Sequence, residues 1–229
     1  MSSETLKRYI RFQKPVVAQH FIMMLSVMGL MLSGFELYSI KSALPGSYLD
    51  DSSLYSLWEQ IHIWFGIILT LSIVWHFIYI LFTLYGHNDF LHILPNKNDL
   101  KSLFSLGFKR QMNKKKRFGL QEKITYWIIG AYLMVMIITG ILQYANSFTA
   151  NYIPRTIYIY IDGFHGKYGL LMGGVLTVWH LYSIFLKPGR FPGTLSWWDG
   201  KISSAEMDRY QKTEGTNQDY SDTDTGNPN

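Results

Sequence analysis

Four stretches of mostly apolar residues, each long enough to cross a bilayer, run through this chain, and five of its seven histidines lie inside them. A hydrocarbon core of about 30 Å takes about 20 apolar residues in helical conformation. The stretches at residues 15–38, 59–85, 123–144 and 161–186 meet that requirement. Lipid offers backbone groups no hydrogen-bond partners, so such segments must be helices that satisfy their own amides and carbonyls. The fold expected is an all-α integral membrane protein, a four-transmembrane-helix bundle. With 229 residues, one domain is expected over residues 1–210. The stretch from 211 to 229 is rich in Asp, Thr, Asn and Gly, a composition that favours a disordered tail. The first apolar run is too long for a leader peptide and lacks a small-residue cleavage site, so no cleaved leader is expected.

The charge distribution orients the spans. The basic excess (21 Lys+Arg against 16 Asp+Glu) is concentrated in three places. The N-terminal arm carries Lys7, Arg8, Arg11 and Lys14. The connection at 86–122 carries Lys97, Lys101, Lys109, Arg110 and the run at 114–117. The C-terminal segment adds Lys187, Arg190, Lys201, Arg209 and Lys212. The other two connections hold only Lys41 and Arg155. Positive residues stay on the cytoplasmic side, which puts both termini and the 86–122 loop inside and residues 39–58 and 145–160 outside. The run at 114–117 reads as a topology signal that meets lipid headgroups. It lacks the interleaved aromatics that stack bases, so no nucleic-acid role is expected. A bacterial inner (cytoplasmic) membrane suits this pattern.

The chain repeats itself. Arg11-Phe12 and Gly34…Tyr38 match Arg117-Phe118 and Gly140…Tyr144 at one offset. His62-x3-Gly66 matches His165-x3-Gly169, and Trp75-His76 matches Trp179-His180 after a one-residue shift. This is an internal duplication of a helical hairpin in one orientation, as in membrane folds built from parallel repeats.

The histidines carry the chemistry. Ionisable groups within the membrane are costly and mark function. His62 and His76 are 14 residues apart, about 21 Å of helical rise with only about 40° of rotation between them. His165 and His180 are 15 apart, about 22 Å and about 60°. Each of two helices thus carries two imidazoles on one face, one near each membrane surface. In parallel helices His62 lies level with His165 and His76 level with His180. A low-spin haem needs such a facing pair of imidazoles, and two levels make two b-type haems (heme b) with iron on histidine. The chain has no cysteine, which excludes disulfides, c-type attachment and cysteine-held iron–sulfur clusters. A proton relay or metal transporter would use midplane carboxylates, and the spans have none near their centres. Gly66 and Gly169 either make room for a porphyrin face or serve close helix packing.

The sequence resembles the cytochrome b subunits of bacterial respiratory enzymes: the formate dehydrogenase gamma subunit, the nickel–iron hydrogenase cytochrome b and the thiosulfate reductase cytochrome b type. The resemblance covers roughly residues 8–205. It rests on Gln19-His20, His62-x3-Gly66, Leu94-Pro95…Asp99, Gln121-Glu122-Lys123 and His165…Trp179-His180. It implies a diheme, quinone-reactive subunit that takes electrons from an iron–sulfur or multihaem cytochrome c partner and passes them to menaquinone or ubiquinone. By resemblance, His62 and His165 hold the outer haem, and His20 pairs with His180 at the inner one. His76 is a second candidate for that place. The duplication favours His76, the symmetry mate of His180; depth within the span favours His20, which is preferred. The histidine left over is then a candidate for quinone hydrogen bonding or proton delivery. Arg155 and Lys167 outside, and Arg11, Lys14 and Lys123 inside, are candidate propionate partners. Quinone chemistry is expected only in complex with the partner; the alternatives are a haem-bearing anchor without its own quinone site, or a stand-alone reductase of the ferric-reductase type.

Overall fold

A computed structural model describes residues 8–43, 53–96, 99, 118–186, 191, 193 and 196–214. The run at 114–117 and the tail from 215 lie outside the described residues. The chain is mostly helical rather than wholly so, with a two-stranded ribbon beside its long helices. Helix α1 is Lys14–Ala43, α2 is Ser53–Phe82 and α4 is Leu120–Tyr144; between α2 and α4 lies a ten-residue helix, α3, at Leu84–Ile93. The fourth span is composite. Helix α5 (Arg155–Gly163) passes into a π-turn at Phe164–Tyr168, then α6 (Gly169–Leu181), then a second π-turn at Tyr182–Leu186. Four of these segments are long and apolar enough to cross a membrane.

The apolar stretches undercount the helices, because a helix does not stop where hydrophobicity does. Helix α2 begins at Ser53, ahead of the apolar run, and its direction breaks at Thr83. There the side chain donates to the Tyr79 carbonyl (2.7 Å) and accepts from the Gly86 amide (3.0 Å), capping the start of α3. Gly86 is tucked under Tyr79 so closely that a Cβ would collide with the Tyr79 carbonyl. A π-turn takes in one residue more per turn than an α-helix. The first of them directly precedes the stretch where the duplicated halves fall one residue out of step.

Burial runs opposite to that of a water-soluble domain. Ser26, Ser33, Ser72, Thr125 and Ser183 are buried, while Leu25, Leu32, Trp64, Leu71, Leu81, Leu171 and Val178 are exposed. Large apolar groups facing outward suit hydrocarbon, and small residues facing inward let helices approach. Ser26 and Ser33 donate to carbonyls four residues back, Ile22 (2.8 Å) and Gly29 (2.7 Å), so their hydroxyls are satisfied inside their own helix.

The contacts divide the chain into two compact units. The first comprises residues 1–20, 77–128 and 180–229. In it, strand β1 (Arg8–Ile10) pairs antiparallel with β2 (Lys201–Ser203), in the register Arg8 to Ser203, Tyr9 to Ile202 and Ile10 to Lys201. Ile202 is fully buried with Met207 and Tyr9 around it. Helix α7 (Ser204–Glu214) starts with a capping box: the Ser203 hydroxyl accepts from the Glu206 amide, and the Glu206 carboxylate accepts from the Ser203 amide (2.9 Å). The consecutive residues Gln121, Glu122 and Lys123 reach three different elements. Gln121 donates to Ser183 (2.9 Å), Glu122 pairs with Arg11 (3.2 Å), and Lys123 pairs with Asp99 (2.8 Å) and donates to the Leu94 carbonyl (2.9 Å).

The second unit comprises residues 21–76 and 129–179. Here glycines set the helix spacing. A Cβ at Gly29 would lie 2.5 Å from the Phe65 ring; one at Gly173 would lie 2.6 Å from the Tyr132 hydroxyl and 2.7 Å from the Met31 sulfur. Tyr132 donates to the Gly169 carbonyl (2.8 Å), closing α4 onto α6.

Candidate haem-binding sites

Four of the five intramembrane histidines form two facing pairs. In the second unit the rings of His62 and His165 have centroids 6.1 Å apart and planes at 79°. In the first unit the rings of His20 and His180 have centroids 6.2 Å apart and planes at 40°. An imidazole nitrogen bonds a first-row transition metal at about 2.0–2.1 Å and lies roughly 1.1 Å from its ring centroid. Two imidazoles on opposite sides of one ion therefore have centroids about 6.2 Å apart. Both pairs meet that spacing. Among the described residues no three His, Asp or Glu side chains are grouped to share a metal ion. Each pair would hold a metal from two sides, and a porphyrin would supply the other donors.

The environment of His62 and His165 fixes which ring nitrogen is available. Ser33 Oγ lies 2.9 Å from His62 Nδ1 and 2.7 Å from the Gly29 carbonyl. A carbonyl only accepts, so the serine proton goes to Gly29, and the hydroxyl oxygen then accepts from Nδ1–H. Thr139 does the same for His165: Oγ1 is 2.9 Å from Nδ1 and 2.8 Å from the Val135 carbonyl. Both imidazoles are thus held as the Nδ1–H tautomer, with the Nε2 lone pair left for a metal. The glycine after each hydroxyl residue makes the room. A Cβ at Gly34 would stand 3.4 Å from His62 Cε1, and one at Gly140 3.0 Å from His165 Cε1. The Nδ1 atoms of His20 and His180 are buried and have no hydrogen-bond partner among the described residues.

Facing imidazoles at iron-sandwich spacing are what b-type haem requires of a protein. The model of one family, prokaryotic cytochrome b561, matches residues 11–196. The chain belongs to the prokaryotic cytochrome b561 family. It is a multi-pass membrane b-type cytochrome, and its cofactor is haem. It is 21% identical over 196 residues to a protein of Haemophilus influenzae (strain ATCC 51907 / DSM 11121 / KW20 / Rd) named "Formate dehydrogenase, cytochrome b556 subunit", an alignment covering 83% of this chain and 76% of that one.

The fifth membrane histidine of this cytochrome, His76, lies in the same unit as His62 and His165, whereas His20 is the residue beside His180. His87 and His92 sit exposed on α3. The glycines that follow His62 and His165 by four residues differ. A Cβ at Gly169 would press on Met136 (2.6 Å), which is close packing, while at Gly66 the nearest atom is Leu30 Cδ2 at 4.0 Å, which leaves space. Two of the basic candidates are already engaged, Arg11 with Glu122 and Lys123 with Asp99. Ser33 and Thr139 escaped the sequence reading, although each immediately precedes a glycine of the duplicated Gly34…Tyr38 and Gly140…Tyr144 match. A hydroxyl beside a repeated glycine, one per half, was the available signal.

The glycines yield a graded prediction. Gly140→Ala pushes against the His165 ring and is expected to weaken haem binding by about tenfold or more, as loss of ligand support does. Gly34→Ala, at ordinary contact distance, is expected to change it less. Titration of haem-free protein with haem measures both.

Proposed function

We propose that this cytochrome carries two b-type haems and passes electrons between a partner redox subunit and the quinone pool of a bacterial inner membrane. The observation that carries this reading is the presence of two imidazole pairs, each at the spacing of a bis-histidine iron. In it, His62 and His165 hold one haem and His20 and His180 the other. Bound there, each haem supplies one-electron oxidation and reduction of its iron. The protein's own part is to set imidazoles in facing pairs, to leave Nε2 of His62 and His165 available through the Ser33 and Thr139 contacts, and to turn apolar side chains toward lipid. His76, outside both pairs, is assigned to quinone hydrogen bonding or proton delivery. The relative's name supports a place in a larger complex, where an iron–sulfur or multihaem cytochrome c subunit exchanges electrons with this one. The basic residues of the N-terminal arm and the 86–122 connection support a cytoplasmic location for both termini. The domain division proposed is a membrane domain to about residue 210, followed by a cytoplasmic tail.

The test has two parts. A reduced-minus-oxidised spectrum of the purified protein is expected to show b-type bands, with two haems per chain by extraction. A quinol analogue is then expected to reduce those haems. Bands without reduction by quinol would leave a haem-bearing anchor, and absence of b-type bands would overturn the reading altogether.

A further inference from the structure

We infer that Ser33 and Thr139 are positioning residues that set the redox poise of the haem held by His62 and His165. This rests on the two-haem reading given above. The geometry is the same in both halves of the duplication. A hydroxyl lies 2.9 Å from Nδ1 and passes its own proton to a backbone carbonyl of its helix, at 2.7 Å for Ser33 and 2.8 Å for Thr139. Each hydroxyl is therefore an obligate acceptor toward its histidine. A second carbonyl lies near each as well, Leu30 at 3.4 Å and Met136 at 3.2 Å; the Met136 carbonyl is also a partner of the His165 ring, so Thr139 shares that acceptor role with it. Ser33 is fully buried, so water does not compete for this bond.

An acceptor on Nδ1–H raises the electron density that Nε2 donates. Extra donation stabilises ferric iron more than ferrous iron and lowers the reduction potential, one of the means by which proteins tune haem. The change is one electron at iron; the proton stays on Nδ1 in both states. Two such bonds act on one iron, one from each side. At His20 and His180 no acceptor meets Nδ1 among the described residues, whereas Ser33 and Thr139 both act on the His62–His165 pair. The bond also fixes ring orientation: the imidazole can turn only by giving up its hydrogen bond.

The experiment is a spectroelectrochemical titration of the full protein carrying both haems, with Ser33→Ala and Thr139→Val compared with the hydroxyl-keeping Ser33→Thr and Thr139→Ser. Loss of both hydroxyls is expected to shift the ferric/ferrous equilibrium of one component about tenfold toward ferrous, about 59 mV upward for one electron, with the other component unmoved. The hydroxyl-keeping variants are expected to retain the parent potentials. If Ser33→Ala loses the haem while Ser33→Thr keeps it at its parent potential, the hydroxyl is again the part that matters. Unmoved potentials in Ser33→Ala/Thr139→Val with both haems present, or equal losses in all four single variants, would overturn the inference. The underlying assignment is tested separately by His62→Ala and His165→Ala. If those two variants lose different haems, or none, the pairing itself is wrong; if they lose the same haem, a negative result counts against Ser33 and Thr139 alone.

Discussion

On the proposed two-haem reading, His165→Ala is expected to remove one haem and leave the other. The reason is geometric. With His165 gone, His62 would be left as the one imidazole of its pair. The ring also fills space against α4, where its Cε1 faces Gly140 and its Nδ1 meets Thr139. Its removal opens a cavity and leaves the Thr139 oxygen without the proton it accepts. His62→Ala is expected to have the same result, and His20→Ala or His180→Ala to remove the other haem. His76→Ala is expected to keep both and to slow reduction by quinol. Haem extraction and difference spectra read each outcome. Both haems surviving in His20→Ala, with one lost in His76→Ala, would transfer the fourth ligand to His76.

The second large effect concerns protein stability. Lys123 and Asp99 form an ion pair at 2.8 Å with side chains only 6% and 3% exposed. Asp99 also accepts from the Asn96 amide (3.0 Å), while Lys123 donates to the Leu94 carbonyl (2.9 Å). Removing one partner strands the other charge out of water, a loss of about 3–5 kcal/mol in comparable buried pairs. Lys123→Met is therefore expected to lower the thermal midpoint in detergent sharply, and Asp99→Leu likewise. The double variant is expected to recover much of the loss, because two apolar groups leave no buried charge. Recovery is incomplete, since the Asn96 amide and Leu94 carbonyl each lose a partner worth about 1 kcal/mol. Unfolding followed by circular dichroism separates these cases. Equal stability of the single and double variants would show the pair to be solvated.

Much of this was legible in the sequence, because membrane helices announce themselves through length and apolarity alone. The four spans and the duplication required no tertiary information. The choice between His20 and His76 is different. It depends on how α1 is set against the fourth span within the first unit, and a one-residue change there rotates a side chain by about 100°. Symmetry pointed to His76 while the structure places His20 beside His180, because the first and third spans are not equivalent at that level: the duplicate of His20 is Tyr126. Ser33 and Thr139 were hidden for another reason. A hydroxyl in an apolar span is ordinarily satisfied by its own backbone, and only the approach of an imidazole from another helix gives it a second role. The pairing of β1 with β2 had no local signal either, since three residues such as Arg8-Tyr9-Ile10 carry too little pattern to declare a strand.

The β1–β2 pairing has a bearing on how the protein is made. Arg8 donates to Asp199 across a separation of 191 residues (2.6 Å), and the amides of Arg11 and Phe12 both donate to the Gly200 carbonyl (2.8 and 3.0 Å). Gly200 adopts a positive φ of 73° to present that carbonyl, and Phe12 lies so close that any side chain there would collide with it. Synthesis is vectorial, at about 5–20 residues per second, so the leading strand is made roughly 10 s or more before its mate. All four spans have been made by then. Residues 8–10 and 201–203 can join only afterwards, which makes this small ribbon a completion mark: a chain that stops before β2 leaves Tyr9 and the edge of β1 open, and one that includes it does not.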